Sequence, residues 1–422
     1  MEITTPFEPK VTVLGQPAEQ GRWFLIPLGM IILLCLGSVY SWSIFRYPLE
    51  NDLGISATQS LLPYTFVLVF YAATMPIAGF YIPRIGTRFT TAIGGIVVAL
   101  GYLLSSFATQ VGVLVFTYGV IAGIGVGIVY GVPMLVVSRW FPDKKGLAVG
   151  LTIVGFGLSP LITAPLANYL IGVYTVRPTL RIFGRAFGAI ILAIAMVMKL
   201  PPRSWHPRQD IAAPASISSP TYPQNLFKSR SFYGLWISYA IGTLVGLSAI
   251  GISSPVGEEI IKINPTVAAA SVSLFAVFNG VSRPLFGWLS DRFKPHHVAI
   301  FSYVLILIAC VLMVNAQTGQ VTTYLLAFCL FWFCLGGWLA MAPTITLRFF
   351  NPDQYAQNYG IVFTAYGVGA LIGNFVTGRI RDLFGTYNYV FYPMALLAII
   401  GIIIACVLLK REKCAVVDSV LD

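Results

Sequence analysis

Runs of about 20 apolar residues, the length that carries an α-helix across a bilayer, follow one another along almost the whole chain. They fall near 22–45, 59–82, 89–109, 111–138, 146–174, 182–200, 232–256, 266–290, 297–316, 321–347, 358–378 and 388–409. Only 10% of the residues are charged, against about 25% in a soluble domain. The runs are continuous rather than alternating, which disfavours a strand barrel. The expected fold is therefore an all-α membrane protein with twelve transmembrane helices.

The formal net charge of +11 would suit a nucleic-acid partner if the basic residues clustered. They are instead sorted by side. With the spans above, 18 Lys and Arg fall on the side that holds both termini and 7 on the other, with Arg283 left inside a span. By the positive-inside rule both termini are cytoplasmic, in the cell (inner) membrane, and no nucleic-acid partner is implied. The six cysteines show neither a disulfide framework nor metal-ligand spacing, and no cofactor or metal is expected. Residues 1–21 read as a short polar cytoplasmic tail rather than a cleavable leader.

The longest polar stretch, 201–231, is rich in Pro, Ser and basic residues. It reads as a cytoplasmic linker between a six-helix half at 22–200 and a second at 232–411, with 412–422 as a terminal tail. The halves repeat each other. Met75-Pro76, Gly79 and Arg84 match Arg283-Pro284, Gly287 and Arg292 at an offset of 208, and Pro133, Gly150 and Gly157 match Pro343, Gly360 and Gly367 at 210. Two parallel six-span repeats around an axis along the membrane normal are the architecture of major-facilitator transporters.

Longer motifs narrow the resemblance. GFYIPRIGTR (79–88) is similar to that superfamily's loop signature between its second and third helices, with Pro83 where an acid usually stands; GWLSDRFK (287–294) keeps Asp291-Arg292. In the family this loop is a gating charge lock, so Asp291 and Arg292 are the gating candidates here. YSWSIFRYPLENDLGIS (40–56), GVGIVYG (125–131), RWFPDKKGLAVG (139–150) and SRPLFGWLSDR (282–292) resemble the oxalate/formate antiporter family, a branch near the monocarboxylate transporters. The resemblance covers essentially the whole chain.

Arg283 lies in an apolar run without another charge from Ala268 to Ser290. A charge near the bilayer centre costs roughly 2.5–3.5 kcal/mol on insertion scales, so it is expected to face a partner or a cavity. Asn279 and Ser282 share its helical face. A guanidinium matches a carboxylate bidentately, and the resemblance implies that Arg283 anchors the substrate anion. The other reading is a structural pair with a neighbouring helix's carbonyls or acid, although no acid lies centrally in any span. Oxalate carriers of the family keep a lysine where Tyr366 stands, so a single cation here favours a monocarboxylate such as lactate or pyruvate over a dicarboxylate. Tyr366 either donates to the substrate or packs between helices. Tyr130, Tyr40, Trp42, Trp338 and Asn279 are further lining candidates, although aromatic residues in spans also pack or form interfacial belts.

Asn279 stands where animal monocarboxylate transporters carry an aspartate, and it takes up no proton. Glu258 and Glu259, at the end of the seventh span, are the proton-coupling candidates; a solvated loop position is the other reading of both. Gly119, Gly123, Gly127 and Gly131 recur every four residues and read as a stripe for close helix approach, not a dinucleotide fingerprint. No nucleophile–base pair or phosphate loop lies in the spans, which argues against an enzyme. The sequence thus points to a monomeric secondary transporter of a small carboxylate, either coupled to protons or exchanging one anion for another.

Overall fold

The computed structural model describes residues 11–202, 226–351 and 355–409. The linker expected at 201–231 falls mostly outside them, as do both terminal tails except residues 11–21. The described N-terminus makes a two-residue hairpin, β1 (Thr12–Val13) with β2 (Gln16–Pro17), in antiparallel register.

Twelve membrane-length helices follow. In the first half they are α1 (Ala18–Leu53), α2 (Ala57–Ile85), α3 (Thr87–Ser105), α4 (Val111–Trp140), α5 (Leu147–Tyr174) and α6 (Val176–Ala195). In the second half they are α7 (Arg230–Ile261), α8 (Pro265–Arg292), α9 (Pro295–Val314), α10 (Val321–Phe349), α11 (Gln357–Phe384) and α12 (Asn388–Leu408). An even number of spans puts both ends of the chain on one side, the terminus side; the other is the far side.

The halves meet along two principal seams, α5 against α8 and α2 against α11. These seams are related by the repeat. Gly157 of α5 and Gly367 of α11, matched in sequence, each sit where a helix of the opposite half crosses. A β-carbon at Gly367 would stand 3.0 Å from Ala72 Cβ on α2. The glycine stripe of α4 behaves as expected over three of its four positions. Gly119, Gly123 and Gly127 lie against Pro63–Phe66, Val67–Phe70 and Tyr71–Met75 of α2, whereas Gly131 abuts nothing within 4 Å.

Arg46 keeps its far-side place in the charge map but not a solvated one. Its place at the end of a span puts it among the far-side loop charges, yet its side chain is wholly buried. Nε donates to Ser60 Oγ at 2.9 Å, and NH2 donates to Glu50 at 3.2 Å, Ala57 O at 3.1 Å and the Tyr387 hydroxyl at 2.7 Å. NH1 donates to Gly251 O of α7 at 3.2 Å. A second tie joins the halves nearby. The Asp382 carboxylate of α11 accepts from Ser56 Oγ (2.9 Å) and from the backbone N–H groups of Ala57 (3.0 Å) and Thr58 (3.2 Å), so it caps α2 from the other half. An anion at a helix N-terminus satisfies donors the helix leaves open and meets the positive end of its dipole. The far side is therefore closed.

At the terminus side the ties hold each half to itself. The RWFPDK motif is a latch. Arg22 at the start of α1 donates in a fork to both Asp143 oxygens, at 2.6 and 2.9 Å, and to Trp140 O at 3.1 Å, with its guanidinium 4.6 Å from the Phe141 ring. Trp140 Nε1 donates to Lys199 O beyond α6. In the second half Arg348 donates to Ser290 O and Phe293 O at the end of α8.

The Arg22 hydrogen bond is the main reason the Asp143 carboxyl lies below its ordinary value of 3.8. A depressed carboxyl stabilises the fold fully above its unfolded pKa and loses that contribution as pH falls through the folded one. Asp143→Asn is expected to lower stability in detergent by about 1 kcal/mol at neutral pH, as for a well-formed surface pair. The difference from wild type should shrink below pH 3.8, as read by melting curves across pH.

Candidate functional site

The α5–α8 seam brings Arg283 to the middle of the molecule. The side chain is 3% exposed. NH1 donates to Ile153 O on α5 at 2.7 Å and NH2 to Asn279 Oδ1, one turn back on α8, at 3.2 Å. Nε has no hydrogen-bond partner among the described residues, and no carboxylate pairs with the guanidinium among them. The carbonyl pairing foreseen as the alternative is thus present, but it takes one N–H of five and leaves the positive charge uncompensated.

Asn279 is held in turn. Its Nδ2 donates to Trp332 O of α10 at 2.8 Å, which fixes the amide so that Oδ1 faces Arg283. Ser282 departs from expectation: its hydroxyl donates to Asn279 O and sits against Gly336 of α10, away from the seam. Close approach explains Gly157. A β-carbon there would stand 2.7 Å from Asn279 Oδ1 and 3.1 Å from Arg283 Nε.

Around the guanidinium lies an aromatic cluster drawn from both halves. Phe156 is 6.0 Å from the Arg283 Cζ. Tyr40 and Tyr130 pack edge-on against Phe156 at 5.1 and 5.3 Å, and both hydroxyls lie within electrostatic reach of Arg283. Tyr40 and Tyr366 share a hydrogen bond across the halves, 2.9 Å between hydroxyl oxygens. Tyr71 joins the two sides, 5.0 Å from Tyr130 and 5.6 Å from Tyr366. Phe363 stacks on Tyr366 at 5.0 Å, and Trp332 lies 6.3 Å from Tyr40.

Tyr71, Phe156, Trp332 and Phe363 were not foreseen. The repeat carried a signal for two of them. Tyr71 is the counterpart of Asn279 at the 208 offset, and Phe156 is the counterpart of Tyr366 at 210.

Other candidates fall elsewhere. Trp42 donates to Ser60 O and lies 4.4 Å from Tyr118 within the first half, a packing role away from Arg283. Trp338 fills the space over Gly242 beside Tyr239 and Tyr303, inside the second half. Glu259 is engaged at the far-side closure: Arg381 donates to it at 2.7 Å and the Tyr47 hydroxyl at 3.3 Å. Glu258 accepts from Ser254 Oγ at 2.6 Å and has no cation partner among the described residues. Asp291 and Arg292 are both exposed. Arg292 lies over the Trp288 ring, and neither joins an ion pair among the described residues.

Residues 28–260 and 242–416 match the Major Facilitator Superfamily. The chain belongs to that family. It is 28% identical to the oxalate:formate antiporter of Oxalobacter formigenes over 394 residues, 92% of each chain. Monocarboxylate transporter 12 of Mus musculus is 22% identical over 410 residues, covering 90% of this chain and 84% of the relative. Among solved structures, a bacterial homologue of the human lysosomal transporter Spinster, inward-facing and occupied, superposes with a TM-score of 0.70 at 15% identity, over 91% of this chain and 96% of the other. A point mutant of the nucleoside transporter NupG gives 0.70 at 13%, over 92% and 100%. These superpositions bear on the fold alone. The chain is thus a multi-pass transporter rather than an enzyme.

Gly157→Ala in this transporter would push the Asn279 amide and the Arg283 guanidinium away from α5 by several tenths of an ångström. It is expected to fold, because the crossing stays small, and to lower uptake of substrate at least about tenfold, the loss that follows from misplacing one charged hydrogen-bonding group. Initial-rate uptake beside a membrane-abundance blot checks it.

Proposed function

We propose that the chain moves a small monocarboxylate of the lactate or pyruvate kind across the cell membrane by alternating access, coupled to protons, as a monomer with both termini in the cytoplasm. The observation that carries this reading is the Arg283 guanidinium. It is buried at the seam between the halves, positioned by Asn279 and lacking a carboxylate partner among the described residues.

The surroundings bear on the charge of the cargo. The position facing Tyr40 across the halves is the neutral hydroxyl of Tyr366, so the centre offers one cation to the anion. The antiporter and monocarboxylate relatives support a small organic anion as its class. A bidentate guanidinium–carboxylate contact neutralises the buried charge and brings the acid's apolar body against the aromatic rings.

For the proton, Glu258 is preferred over Glu259, which Arg381 already holds. Glu258 also connects to the centre. Its partner Ser254 adjoins Ser253, whose hydroxyl accepts from Trp332 Nε1 at 3.0 Å, and the Trp332 carbonyl holds Asn279. Exchange of one carboxylate for another, as in the antiporter, is the second reading and rests on that relative.

Purified protein in liposomes separates the two. Symport predicts lactate uptake that rises as external pH falls and collapses with a protonophore, and that lactate competes far better than oxalate. Uptake indifferent to pH but stimulated by preloaded anion would favour exchange, and oxalate competing as well as lactate would refute the single-charge argument. Glu258→Gln is expected to flatten the pH dependence while leaving anion exchange in place. An unchanged pH profile in that variant would remove Glu258 from the coupling.

A further inference from the structure

We propose that Asn374 of α11 is a second, transient binding subsite for the carboxylate, reached when the far-side seam opens and passed before the anion meets Arg283. The inference rests on the transport reading above. Asn374 is 0% exposed, and neither its Oδ1 nor its Nδ2 has a hydrogen-bond partner among the described residues. Buried amides are nearly always paired, because an unpaired one gives up its hydrogen bonds to water with nothing in return. A leucine of similar size would fill the closed seam better. The amide therefore finds its partners in the conformation in which this seam is open.

Its direction follows from its neighbours on α11. Gly367 lies against Ala72 and Gly378 against Thr58, both on α2 of the opposite half. Asn374 is seven residues after the first and four before the second, hence on the same face of a 3.6-residue helix. Gly369 and Gly373 instead abut α7 of its own half, at Thr243 and Ser248. Leu371, Ile372, Phe375 and Val376 are on the exposed face. Asn374 thus points into the α2–α11 seam, two turns from Tyr366 and two from Asp382, the residue that fastens the seam to Ser56, Ala57 and Thr58.

Opening the far side requires that fastening to release and α2 to leave α11. Asn374 then lines the approach to the centre. Its Nδ2 donates to a carboxylate oxygen, and its Oδ1 accepts from a hydroxyl of the acid or from water. With no net charge it holds the anion weakly, as suits a stop on the way to a cationic anchor.

The test uses the full-length carrier in intact cells. Asn374→Cys is made in a background where Cys406 and Cys414 are replaced and treated with a membrane-impermeant maleimide. The expected result is labelling from outside that saturating lactate slows about threefold or more. In parallel, Asn374→Leu should raise the KM of uptake by about three- to tenfold, the worth of one neutral hydrogen bond, with a melting temperature no lower than the parent's. An Asn374→Cys carrier that transports but is never labelled overturns the proposal. So does labelling indifferent to lactate together with an unchanged KM in the leucine variant. If the carrier moves some other anion, that anion replaces lactate in the protection arm. Asn374 is then still decided while the monocarboxylate reading fails separately.

Discussion

Everything in the centre of this transporter depends on keeping one guanidinium in an apolar bundle. Arg283 is tolerated there because three features converge on it. Asn279, one turn away, accepts from it and is itself locked by the Trp332 carbonyl; Ile153 of the opposite half offers a backbone oxygen; and Gly157 leaves the room for both. None of these neutralises the charge. A buried cation satisfied only by neutral oxygens is an electrostatic demand for an anion, and it sits on the seam between the halves. In the function proposed above, binding and movement are joined at this one side chain.

The rest of the architecture serves rigid halves with releasable seams. The RWFPDK latch ties α1 to the α4–α5 turn and to the end of α6 with a forked ion pair, a cation–π contact and an indole hydrogen bond. Such ties fasten the helices of the first half to one another. The far-side closure is made differently, from contacts that cross between halves: Arg46 reaching Gly251 and Tyr387, and Asp382 capping α2. The glycines at the crossings, Gly157 and Gly367, keep the backbones close without interlocking side chains. A seam built this way can separate without unpacking a core.

The twelve spans, the repeat and the central place of Arg283 were legible in the sequence because each leaves a local trace: apolar length, a constant offset, one charge among neutral residues. Resemblance pointed to Tyr130 and Tyr366, and the first span offered Tyr40; all three lie around Arg283. Trp42 and Trp338 lie away from Arg283; an aromatic residue in an apolar helix has the same signature whether it packs within a half or faces the seam. The burial of Arg46 was hidden for a related reason. At the end of a span it looks like a loop charge, and only partners up to 341 residues away reveal that it is buried. Tyr71 and Phe156 lay within reach, because the repeat that relates Gly157 to Gly367 also relates them to Asn279 and Tyr366. The identity of a packed neighbour across the seam is a property of two distant segments and leaves no mark in either alone.

We propose that Arg283 holds the carboxylate with a two-pronged contact. It is tested most directly by equilibrium binding of lactate to purified protein, wild type against Arg283→Lys, with melting curves to establish that both fold. A lysine keeps the charge but loses the planar fork. The variant is expected to fold and to bind lactate at least about tenfold more weakly, in line with the roughly 1.5–3 kcal/mol expected of a charged hydrogen bond. Equal affinity in a folded Arg283→Lys protein would contradict it.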